Sequence, residues 1–152
     1  MFKTILIPVD FSQKISRFTD LIRKLSPEKV ILLNVIDNLE LSLYRELFLA
    51  MTASHPENAK TSFKNTPIYK KNVKKMEEYK KTLHKKGYKV EGLIEQGVPY
   101  KKILSTGKKL HAGLIIIPSY GKRLSLVKDF LSFGGTVNRV VRHTKIPVMV
   151  IK

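Results

Sequence analysis

The chain predicts an α/β domain built on an open parallel sheet of five strands, with helices on both faces. Three observations carry that expectation. Short apolar runs alternate with longer amphipathic stretches along all 152 residues. The apolar runs are continuous, as in strands buried on both faces. Proline, glycine and capping residues punctuate the junctions. Such alternation is the pattern of strand–helix–strand units joined by right-handed crossovers.

The elements follow in order. Phe2–Pro8 (FKTILIP) reads as a buried strand. Asp10 and Ser12 are placed to cap a helix reaching about Leu25, whose inward face is Ile15, Phe18, Leu21, Ile22 and Leu25. Pro27 breaks the chain, and Val30–Ile36 is a second strand rich in β-branched residues. Leu39–Met51 is helical. The polar stretch 52–67 reads as an exposed loop or insertion. Helical spacing resumes over Ile68–Lys86 through Val73, Met76, Tyr79 and Leu83, with Gly87 as its C-terminal cap. Tyr88–Glu95 is a third strand, polar enough to lie near an edge. Tyr100–His111 is a helix with Ile103, Leu104 and Leu110 inward. Gly113–Pro118 (GLIIIP) is a fourth strand. Ser119–Gly135 is a loop with room for a helical insert, Thr136–His143 a last helix, and Pro147–Ile151 (PVMVI) a fifth strand. No repeat, heptad array or second domain interrupts residues 1–152.

The length suits one domain with a real core. The chain has no cysteine, which excludes disulfides and cysteine-based zinc sites and favours a reducing compartment. No apolar run approaches the roughly 18–20 residues of a spanning helix, and no secretory leader is legible at the N-terminus. A cytoplasmic location is expected. The charge is unusual: 29 Lys+Arg against 12 Asp+Glu, a formal +17. A field of that sign attracts nucleic acid, anionic lipid, nucleotides or acidic proteins. Nine lysines crowd Tyr69–Lys89, interleaved with Tyr69, Tyr79 and Tyr88. Two readings stand: a phosphate-tracking face, or the solvated side of an amphipathic helix, which the pairing of lysines around the apolar positions favours.

In a doubly wound sheet, ligands bind beyond the carboxyl ends of the strands, where strand order reverses. Two segments therefore matter: Pro8-Val9-Asp10-Phe11-Ser12 after the first strand, and Pro118-Ser119-Tyr120-Gly121-Lys122 after the fourth. The second leads to Gly134-Gly135-Thr136 at the start of the last helix. Paired glycines there let backbone N–H groups approach an anion at the positive end of the helix dipole, with Ser119, Lys122 and Thr136 adding hydroxyls and a charge. A plain turn with an N-cap Thr136 explains the same residues without a ligand.

These segments resemble the universal stress protein family over nearly the whole chain. MFKTILIPVDFS is similar to the family's first strand and its Asp, and VILLNVID to its second strand. GVPYKKILSTGKKLHAGLIIIPSYGK is similar to its third helix and fourth strand, and GGTVNRVVRHTKIPVMVIK to its C-terminal signature. The resemblance implies strand order 3-2-1-4-5 in an adenine nucleotide alpha hydrolase-like fold. It also implies a base and ribose site beside Pro8, Asp10 and Val35, with Ile117 as an apolar wall. Nucleotide-binding members carry G-x2-G-x9-G-[S/T]. Here the first glycine falls on Pro118, the second on Gly121 and the third on Gly134. The hydroxyl position falls on Gly135, with Thr136 directly after it. Twelve residues separate Gly121 from Gly134, three more than the pattern. Pro118 has no N–H to donate and cannot take a glycine-only turn. The expectation is weak or absent ATP binding, with Mg²⁺ accompanying any ATP. Lys122 and Arg123 could replace part of the lost contacts.

Other chemistry lacks a motif. No G-x4-G-K-[S/T] or G-x-G-x-x-G is present, and the Ser-Gly-Gly-x-Asp-Ser loop of the related ATP pyrophosphatases is missing. His55, His84, His111 and His143 have no metal-ligand spacing. Ser119 has no G-x-S-x-G setting. The expected function is a non-enzymatic stress-response domain acting by binding and by homodimerisation through Pro147–Lys152, with a degenerate adenine-nucleotide site. A working ATP sensor and a polyanion-binding module are the alternatives.

Overall fold

A computed structural model describes residues 2–51, 62–119 and 135–152. Thr4–Pro8 (β1) forms because Ile5, Leu6 and Ile7 each find an apolar layer, and all three are fully buried. Four further strands join it: Lys29–Asp37 (β2), Val90–Gly97 (β3), Leu114–Pro118 (β4) and Val148–Ile151 (β5). Every pairing is parallel, and the order is β3-β2-β1-β4-β5. The order reverses at β1, whose neighbours are β2 and β4. The turns after β1 and β4 therefore open on the same edge of the sheet.

The helices are Ser16–Leu25 (α1), Asn38–Met51 (α2), Pro67–His84 (α3), Pro99–Lys109 (α4) and Gly135–His143 (α5). Alternation along the strands separates two cores. On one face Ile5, Ile7, Val30, Leu32 and Ile116 meet Phe18 and Ile22 of α1 and Met76 and Leu83 of α3. On the other, Leu6, Ile31, Leu33, Ile115 and Ile117 meet Ile103 of α4 and Val137 and Val140 of α5. None of the described helices is long and apolar enough to cross a membrane.

Several local expectations are corrected. Helix α1 starts at Ser16, and its N-terminus has no side-chain cap. Asp10 instead accepts the Ser12 N–H at 2.9 Å, closing an Asx turn, because Phe11 takes a left-handed backbone (φ 60°) that no helix can continue. Strand β3 begins at Val90, two residues late, because Tyr88 is taken up by the capping turn that follows α3. There the Tyr88 N–H donates to the Leu83 carbonyl and the Gly87 N–H to that of His84, with Gly87 at φ 85°. That is a Schellman cap with glycine in its left-handed position. Within 52–67, residues 63–65 make a 3₁₀ turn and buried Thr66 caps α3 through the Tyr69 N–H. Residues 52–61 lie outside the described residues, as does most of the 119–135 loop.

Candidate functional site

A cleft of about 540 Å³ opens at the carboxyl edge where β1, β2 and β4 end. Its floor comes from the turn after β1. The Val9 N–H donates to the Leu33 carbonyl at 2.8 Å, and the buried Asn34 Nδ2 donates to the Val9 carbonyl at 2.8 Å, so β2 holds that turn from both sides. One wall belongs to the α4/α5 face and carries Val35, Ile103, Ile117 and Val137. The other belongs to α3 and carries Ile68, Lys71 and Asn72, one turn apart on a single helix face.

Pro8, Asp10, Val35, Ile117, Gly135 and Thr136 all line this one cleft, although they come from β1 and the turn after it, β2, β4 and α5. Gly135 and Thr136 are the first residues of α5, so its first-turn N–H groups sit at the cleft. Pro118, the last residue of β4, also lines it. Ser119 does not: it is buried beside the strands, and its N–H donates to the Ile151 carbonyl at 2.8 Å. Gly121, Lys122 and Gly134 lie outside the described residues.

Helix α3 also fixes the turn that carries Asp10. The Tyr79 hydroxyl donates to the Gln13 carbonyl, and the Tyr79 ring meets Phe11 edge-on at 5.2 Å. Lys75 stands over the Phe11 ring at 6.0 Å. Burial raises the Tyr79 phenol above its ordinary pKa, and the carboxylates of Asp10 and Glu78 raise it further. Phe11, in its costly left-handed conformation, is thus contacted by two side chains of α3.

Sequence reasoning missed the α3 wall and the buried amide of Asn34. A signal existed for Asn34, the single polar residue inside VILLNVI. Asn72 Nδ2 donates to Asn34 Oδ1 at 2.9 Å, linking α3 to the floor of the cleft. Among the described lining residues the charged groups are Asp10, Asp37, Glu40 and Lys71. Three carboxylates face one ammonium, in a protein whose formal charge is +17. Asp37 also caps α2, accepting the Leu39 N–H at 2.9 Å. No group of three or more potential metal ligands occurs among the described residues.

Comparison with known proteins adds relatives. The model of the universal stress protein family matches residues 1–152. A universal stress protein of Methanocaldococcus jannaschii is 31% identical over 159 residues, covering 100% of this chain and 96% of that one. A solved structure of a protein of the same designation superposes with a TM-score of 0.76 at 30% identity, again covering 100% and 96%. The Archaeoglobus fulgidus universal stress protein solved with dAMP gives a TM-score of 0.61 at 15% identity, covering 98% and 97%. One solved with cAMP gives 0.51 at 12%, covering 99% and 96%. The last two likenesses are of fold.

Proposed function

The chain belongs to the universal stress protein family, and on that premise we propose that it is a non-catalytic regulatory domain that binds an adenine nucleotide in the cleft between β1 and β4. The observation that carries this reading is the convergence of Pro8, Asp10, Val35, Ile117, Gly135 and Thr136 on one cleft of about 540 Å³. That volume suits a small ligand. Val35 and Ile117 offer apolar surface to a base, and Asp10 an acceptor to a ribose hydroxyl. The start of α5 offers N–H groups and the positive end of a dipole to a phosphate. Fold relatives solved with dAMP and cAMP agree with that ligand class.

The site is degenerate toward the triphosphate. Pro118 removes one backbone donor from the cleft edge, and three of the four charged residues on the described lining are carboxylates. Titration calorimetry with AMP and with Mg·ATP tests this. AMP is expected to bind, Mg·ATP to bind no more tightly, and Asp10→Ala to weaken AMP on the order of tenfold. Failure of every adenine nucleotide to bind at millimolar concentration removes the reading.

The same proposal makes the protein a cytoplasmic homodimer, paired through residues 147–152. Strand β5 is an edge of the sheet, and an uncovered edge presents unpaired backbone groups to a second copy. A second reading, polyanion binding, is favoured by the exposed lysines of α3 (Lys70, Lys71, Lys74 and Lys81). It requires affinity for duplex DNA, RNA or anionic vesicles that falls steeply with salt. No binding near 150 mM salt removes it.

A further inference from the structure

We propose that Asn72 is a specificity-determining residue of the cleft, reading the base as a 6-aminopurine and rejecting a 6-oxopurine; the inference rests on the adenine-nucleotide reading above. It begins with a backbone carbonyl. The Val9 C=O can only accept, so the side chain bonded to it, Asn34, must turn Nδ2 toward it. Asn34 Oδ1 then points the other way and must be met by a donor. That donor is Asn72 Nδ2, at 2.9 Å. Both amides are therefore oriented by one fixed acceptor, and neither can turn over without setting oxygen against oxygen.

The buried end of the relay, Asn34, is 4 % exposed, while Asn72 is half-buried and lines the cleft. After its bond to Asn34, Asn72 keeps Oδ1 and one N–H, and neither is hydrogen-bonded within the described residues. An acceptor and a donor on one planar amide match the amino group and adjacent ring nitrogen of adenine, the pairing by which asparagine reads that base elsewhere. Val35 and Asn72 line the same cleft, on its strand side and on its α3 wall, so a base resting on Val35 would have Asn72 within the same cleft to meet its edge. Hypoxanthine or guanine presents an oxygen at that edge instead. A free asparagine could turn its amide to offer that oxygen an N–H, whereas here the Val9 carbonyl, acting through Asn34, forbids the flip. The mismatch leaves two acceptors facing each other, which discriminates far more strongly than a lost contact.

The test is calorimetric titration of the full chain with AMP and with IMP, for the wild type and for Asn72→Ala. The wild type is expected to prefer AMP on the order of tenfold or more. Asn72→Ala is expected to bring the two affinities within about threefold of each other while the protein still melts cooperatively. A merely structural Asn72 would weaken both ligands alike and leave their ratio unchanged, and that result overturns the proposal. Equal binding of AMP and IMP by the wild type overturns it while leaving the nucleotide site intact. Binding of neither by the wild type sinks the nucleotide site itself, and this inference with it. The preference surviving in Asn72→Ala would assign base reading to some other group.

Discussion

The chemistry of single residues at the cleft edge has consequences for stability as well as binding. Asn72→Asp is nearly isosteric, yet it sets a carboxylate against Asn34 Oδ1, which the Val9 carbonyl prevents from turning away. It is expected to cost about 1–3 kcal/mol, more than Asn72→Ala, which leaves an acceptor unpaired without repulsion. Urea unfolding of the two variants checks the order. Tyr79 makes stability pH-dependent. Its phenol is raised by burial first and by Asp10 and Glu78 after, so the folded protein holds that proton more tightly than the unfolded chain. The contribution is complete below pH 10, the ordinary phenol value, and is lost as pH rises from there through the folded-state value. Tyr79→Phe also removes the hydrogen bond to the Gln13 carbonyl, at about 1 kcal/mol near neutrality. The gap in melting temperature between wild type and Tyr79→Phe is expected to narrow above pH 10; a constant gap contradicts the account. His111 ends α4 in a left-handed conformation (φ 51°), with the Ala112 N–H on the Gly107 carbonyl. That is glycine's position in a Schellman cap. His111→Gly is expected to stabilise by about 0.5–1 kcal/mol in denaturant unfolding.

At the scale of elements, helix α3 does most to shape the site, and its seating depends on one glycine. A Cβ at Gly92 of β3 would lie 2.8 Å from Met76 Cγ and 2.9 Å from Lys80 Cδ. Met76 is buried in the core, so the helix has little room to give. Gly92→Ala is expected to cost about 1–3 kcal/mol by overpacking. Part of that should return in the double variant with Met76→Ala, a non-additivity that thermal unfolding can read. The strands were legible because LIIIP and VILLNVI are continuous apolar runs, which only a sheet covered on both faces accommodates. Gly87 was legible because a C-terminal cap is a local rule. Asp10 misled for the same reason: an Asp before an amphipathic run reads as an N-cap. What removes it from that role is the left-handed turn at Phe11, whose ring packs on Tyr79 of a helix far along the chain. The α3 wall was hidden in the same way. Ile68, Lys71 and Asn72 read locally as part of a solvated lysine helix, and only packing of α3 on the sheet aims that face at the end of β1.

For the whole molecule, the sign of the charge is the first consideration. A formal +17 repels itself, so stability is expected to rise between low and moderate salt as that repulsion is screened. Melting temperatures at 20 and 200 mM sodium chloride check it. Light scattering on a size-exclusion column decides the pairing through β5: a monomer at micromolar concentration excludes it. The family resemblance located the crevice, because β1 at the centre of the sheet brings the turns after β1 and β4 together. That same central place sets an order of assembly. The partners of β1 are β2, which follows within thirty residues, and β4, which starts only at Leu114. A nascent chain leaving the ribosome can complete β3-β2-β1 while one margin of β1, with Leu6 and its neighbours, still waits for the strand that will cover it. Synthesis stalled in that interval exposes an apolar parallel edge, and it is there that a chaperone would be needed most.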